Sequence, residues 1–222
     1  MKTAAQIISW VFLPLFMPVY ALLMTMFIPS ESKSIMAEQG SLSDMMVAHK
    51  LHIILLYIVL SVLAPGFSLL MLKRQKQIES VELDNKNERS LPITLTVIYC
   101  SMLGIFLWMQ IPQGRIPQVI FALPWAGALA SLIAAFINRY EKISLHGIGA
   151  GLLFGFLVMY FHTQDTFNFN LIVLSVLIGG IVLSARMYLE KHSLREAVSG
   201  YLLGVAAIVL VLTFFPNSSL NL

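Results

Sequence analysis

Apolar residues run almost without interruption through seven stretches of this chain, near residues 6–28, 51–72, 91–110, 117–138, 145–161, 170–185 and 197–215. None carries Asp, Glu, Lys or Arg in its interior. Crossing a hydrocarbon core takes about 20 helical residues, so each run is long enough or nearly so. The pattern is continuous rather than alternating, which excludes the strands of an outer-membrane barrel. Backbone polar groups in lipid must be satisfied within their own segment, and that leaves helices. The expected fold is all-α, a polytopic membrane bundle of about six to seven transmembrane helices in one integral domain over residues 1–222.

Prolines punctuate the runs. Pro14 and Pro18 predict a kink in the first, which could instead fold as a re-entrant pair of half-helices. Pro65-Gly66 and Pro124 predict further kinks. The first run is too long for a cleaved signal and lacks a convincing basic start and a small-residue cleavage site, so it reads as retained. Two connections are long: 29–50, with room for an interfacial helix, and 73–90, the most charged part of the molecule. Short loops elsewhere make consecutive helices antiparallel neighbours.

Composition agrees with the pattern. Hydrophobic residues make up 58% and charged residues 11%, against about 25% charged in soluble domains. The lone Cys100 excludes an intramolecular disulfide. A net charge of +3 reflects loop Lys and Arg and implies no nucleic-acid partner. Counting spans puts 11 Lys and Arg on the face shared by the amino terminus and the loops after spans two, four and six, and only Lys33, Lys50 and Arg115 on the other. The basic face is expected in the cytoplasm, and the expected location is a bacterial inner membrane. Oligomeric state leaves no mark on the sequence.

The same parity gathers the chemistry. Arg89, the pair Ser144/His146 and the trio Arg186/His192/Glu196 are each separated by two spans, so all emerge at one membrane face beside helix starts. Helix amino termini favour anions, and guanidinium forks match phosphate oxygens. Two histidines can divide nucleophilic attack from protonation of a leaving alkoxide, and an acid four residues from His192 can hold its tautomer. No His, Cys or carboxylate set has metal-ligand spacing, and no cofactor is implied.

In order and spacing these residues resemble the type-2 phosphatidic acid phosphatase superfamily, whose motifs read KxxxxxxRP, PSGH and SRxxxxxHxxxD. Arg186, His192 and Glu196 follow the third motif, Ser144 and His146 keep the second, and Arg89 keeps the first. Glu82 stands in place of the first motif's Lys, with Lys86 a helical turn on as a substitute. Ser90, Ile143, Leu145 and Ala185 replace Pro, Pro, Gly and Ser, and Glu196 replaces Asp. The resemblance covers about residues 82–205, preceded by two extra helices. It implies a metal-independent phosphatase acting on a lipid phosphate (phosphatidic acid, phosphatidylglycerol phosphate or a polyprenyl phosphate). His192 would be the nucleophile, His146 the general acid and Glu196 the orienter. Arg89, Arg186, Ser144 and Lys86 would bind phosphate. Such enzymes commonly open away from the cytoplasm, opposite to the charge count.

Plainer readings compete. Ser193 to Glu196 forms a helix capping box. Arg186 and Lys191 can anchor helix ends in headgroups. His49 and His52 read as interfacial, and His162 with Asp165 as surface groups on the opposite face. Gly147, Gly149, Gly151 and Gly155 read as close helix packing. Trp10, Trp108, Trp125 and Tyr160 read as interfacial belts or lipid-facing bulk. A catalytically inactive lipid-binding or scaffold protein is the alternative function. A transporter fits less well, because ionisable groups gather at one surface rather than at the midplane.

Overall fold

A computed structural model describes residues 2–31, 41–81, 83, 85–110 and 119–214. The helices are α1 (Lys2–Val11), α2 (Met17–Phe27), α3 (Val47–Tyr57), α4 (Ala64–Arg74), α5 (Ser90–Gln110), α6 (Val119–Ile137), α7 (Leu145–His162), α8 (Phe169–Tyr188) and α9 (Leu194–Phe214). Taken with their continuations, α1–α2 and α3–α4 each make one span, so that seven apolar segments are long enough to cross a membrane. The chain is an all-α integral membrane bundle, as the apolar runs predict. Lys33, Glu38, Glu82 and Arg115 lie outside the described residues, as does the middle of the 29–50 loop where an interfacial helix was expected.

The first span breaks where Pro14 demands it. The residue before a proline is driven out of the helical region, and Leu13 sits at φ −57, ψ 144. A single turn over Pro14–Phe16 follows, and α2 starts with Pro18 in its first turn, where the missing N–H costs nothing. The segment nevertheless crosses. Ser9 meets His146 at the start of α7, whereas Ser30 meets Tyr160 near its end, about 21 Å away along the helix. The re-entrant alternative is thereby removed. In the second span a π-helical turn at Ile58–Leu63 absorbs the misfit ahead of Pro65. Pro124 lies inside α6 without interrupting it.

Most of the core is built around α7, the most buried of the spans. Glycines bring α7 and α9 to backbone contact: a Cβ on Gly147 would lie 2.6 Å from the Ala197 carbonyl oxygen, and one on Gly155 would lie 2.5 Å from Ile208 Cγ2. Added carbons on Gly151, Gly200 and Gly204 would meet the carbonyl oxygens of Tyr201, Ser144 and Ile148. Gly149 turns the other way, onto Pro14 and Met17. The predicted small-residue packing is real, and its reciprocal half on α9 completes it.

Two aromatic residues depart from the belt reading. Tyr160 is buried, and its hydroxyl bonds the Ser30 and Ser41 hydroxyls and accepts from the Leu42 amide at the far end of the bundle. Trp125 packs on Gly104 of α5. A buried phenol needs partners, and the serines around the 29–50 connection supply them. Trp10 and Trp108 are exposed on the outer surface, as expected of lipid-facing residues.

Candidate functional site

The turn after α8 sets the position of His192. Glu190 adopts a left-handed conformation (φ 56). The amides of Glu190 and Lys191 then donate back to the carbonyls of Met187 and Arg186. This is a Schellman closure with Glu where glycine is usual. It reverses the chain, so that His192 comes to lie beside the last turn of α8, where Arg186 is buried to 2% exposure. A cation there also complements the carboxyl end of the helix dipole.

The start of α7 is tied to the start of α9. Ser144 Oγ accepts from the Gly147 amide as the helix cap, and the Ser144 amide donates to the Glu196 carbonyl. Ser193 Oγ accepts from the Glu196 amide, which is half of the expected capping box. The other half is diverted: the Glu196 carboxylate takes the His192 Nδ1–H at 2.8 Å. Nε2 of His192 is left with its lone pair. Arg89, also buried, donates Nε–H to the Leu83 carbonyl at 2.7 Å and Nη1–H to the Ile143 carbonyl at 2.9 Å, linking the 73–90 connection to the α6–α7 loop.

Arg89, His146, Arg186 and His192 all line one cavity of about 640 Å³. The cavity continues among apolar side chains of the first two spans and of α5 and α7, including Leu60, Ile93 and Leu152. Its polar residues are few for its size. Burial of the His192 ring, opposed by its bond to Glu196 and reinforced by the cations Arg89, Lys142 and Arg186, lowers its pKa from 6.5 to about 4. The imidazole is neutral at pH 7, the state a nucleophile requires.

The structure thus brings Arg89, His146, Arg186 and His192 together. Glu196 and Ser144 support them from behind rather than lining the cavity. Ser144 is buried and its oxygen is occupied as the α7 cap. Lys86 belongs to the short turn Lys86–Arg89 preceding α5, and its side chain lies outside the described residues.

Two further groups escaped the motif reading. Lys142 donates Nζ–H to the Lys191 carbonyl, next to His192, and adds to the positive field there. Ser9 of α1 accepts the His146 Nε2–H on its carbonyl at 3.1 Å. A proline five positions after a serine in an apolar run was the only sequence signal for it. His49, His52 and His162 are exposed and away from the cavity lining. Among the described residues no three His, Cys, Asp or Glu side chains form a metal-sized group. No family model, curated protein or solved structure matches the chain.

Proposed function

We propose that the protein is a membrane-embedded phosphatase that hydrolyses a lipid phosphate through a phosphohistidine at His192. One observation carries this reading: two buried arginines and two histidines line the same cavity as a long series of apolar side chains. Guanidinium groups suit phosphate oxygens, and the apolar remainder suits an acyl or isoprenoid tail. Trp10, Leu63, Phe67 and Leu70 line the cavity and are 49%, 58%, 62% and 55% exposed, so its outer wall faces the surroundings of the helices. A tail can therefore enter from the side. The order of motifs, which resembles the type-2 phosphatidic acid phosphatase superfamily, supports the same reading.

The chemistry follows from the tautomers. His192 Nε2 attacks phosphorus, forming a P–N bond as the bond from phosphorus to the lipid oxygen breaks. His146 in its imidazolium form gives that oxygen a proton. Water then attacks the phosphohistidine, His146 takes the proton back, and phosphate leaves with His192 restored. Arg89 and Arg186 balance the charge on the three peripheral oxygens, and the unbonded N–H groups opening α7 add to this. Lys142 supplies the positive charge that the Lys-to-Glu replacement at Glu82 removes from the first motif.

Phosphate release from dioleoyl phosphatidic acid, phosphatidylglycerol phosphate and polyprenyl diphosphate in mixed micelles tests the proposal, with His192→Ala as the control. Activity in the wild type that is lost in the variant is the expected result. Inactivity across the panel would favour a lipid-binding protein. The two carbonyls that Arg89 already engages are the observation on that side.

A further inference from the structure

The amino-terminal span, which lies outside the motif-bearing region, supplies a group to the cavity. In an unbroken helix the Ser9 carbonyl would accept from the amide four residues on, that of Leu13. Pro14 drives Leu13 into an extended conformation, and the last helical bond of this kind is from Phe12 to Ile8. The Ser9 carbonyl is released, and His146 Nε2–H takes it. A carbonyl can only accept, so the proton on Nε2 is fixed by this contact.

The Ser9 side chain is equally unusual. Hydroxyls of Thr25, later in the same span, and of Ser61, Ser68, Thr96 and Ser175 in other spans bond back to carbonyls three or four residues earlier. Ser9 lines the cavity, is 5% exposed, and its buried Oγ has no hydrogen-bond partner. An unsatisfied buried hydroxyl is costly, by about 1–3 kcal/mol. Its place in the cavity that two arginines and two histidines also line makes sense if something in that cavity accepts its proton.

We propose that Ser9 works in the site in two ways: its hydroxyl donates a hydrogen bond to an oxygen of the bound phosphate, and its carbonyl holds His146 with Nε2 protonated, so that Nδ1 exchanges protons. The first makes Ser9 a substrate-contacting residue and the second a positioning residue. The inference rests on reading the cavity as a phosphate site. It adds a donor from a span that the motifs do not reach, and it gives the proline break in that span a purpose.

The test uses the full chain in detergent micelles and orthovanadate, an inorganic phosphate mimic, as the probe. Ser9→Ala should weaken orthovanadate binding about fivefold to tenfold, whereas Ser9→Thr should stay within about twofold. Nitrogen-15 spectra of His146 should show the Nε2-protonated tautomer in the wild type and in Ser9→Ala, which keeps the carbonyl. Pro14→Ala lets the Leu13 amide return to that carbonyl, and the tautomers should then mix. Equal orthovanadate affinity in wild type and Ser9→Ala, absence of binding in the wild type, or an Nδ1-protonated His146 would each overturn the proposal. Ser9-dependent binding by a protein that releases no phosphate from any lipid would uphold the site and end the phosphatase reading instead.

Discussion

Glu196 Oε2 stands 2.8 Å from His192 Nδ1, one helical turn along the chain and across the boundary where α9 begins. The acid that sequence alone assigns equally well to a helix cap has turned away from the cap and towards the imidazole. Its backbone amide meanwhile still donates to the Ser193 hydroxyl oxygen. One residue thus starts a helix with its main chain and holds the His192 imidazole with its side chain.

Glu196→Gln should lower phosphate release by about 10²–10⁴-fold, in line with what loss of an orienting carboxylate costs in other hydrolytic sites. Thermal unfolding should change little, because the Ser193 cap remains. Steady-state kinetics beside a melting curve separates the two effects.

The pH profile should carry the signature of the cations. With His192 titrating at about 4, the acid limb of kcat/KM should lie near that value rather than near 6.5. Lys142→Met removes a charge that opposes protonation, so the acid limb should move to higher pH. Glu196→Gln removes the bond that favours the protonated ring, so the limb should move to lower pH. Because the folded-state pKa lies below the unfolded 6.5, the stability linked to neutral His192 is complete above pH 6.5 and is lost as pH falls through about 4. Buffer-matched rate profiles of the three proteins check the directions.

The glycine seam should tolerate no added bulk. Gly151→Val places carbon against the Tyr201 carbonyl and should cost about 3 kcal/mol or more. A Cβ at Gly180 meets open space, so Gly180→Val should change stability by only about 0.5 kcal/mol, the range of surface changes. Melting temperatures in a single detergent give the comparison.

At the opposite end of the bundle, Tyr160→Phe leaves the Ser30 and Ser41 hydroxyls and the Leu42 amide without their shared partner. Destabilisation of about 1–3 kcal/mol is expected, with lipid-phosphate turnover unaltered in whatever fraction stays folded. Unfolding measured beside turnover tests this.

The spans were legible because lipid leaves no other way to satisfy a backbone, so length and apolarity suffice to find them. Arg89, His146, Arg186 and His192 were legible through parity: two intervening crossings return the chain to the same side. Tyr160 was misread because an aromatic near a helix end looks alike whether it faces headgroups or plugs a serine cluster. Ser144 and Glu196 were found, but their places behind the cavity depend on local caps that spacing does not reveal. Ser9 was missed because its bond to His146 runs through a carbonyl released by Pro14, and a main-chain atom has no letter in the sequence.

The interlock of α7 with α9 has a mechanical consequence. His146 and His192 stand on, or just before, two helices whose main chains touch, so a slip of either by one residue would drive a side chain into a carbonyl. The pair behaves as the fixed jaw of a vice. Any opening of the cavity falls to the opposing jaw, where a proline break and a widened turn interrupt the first two crossings.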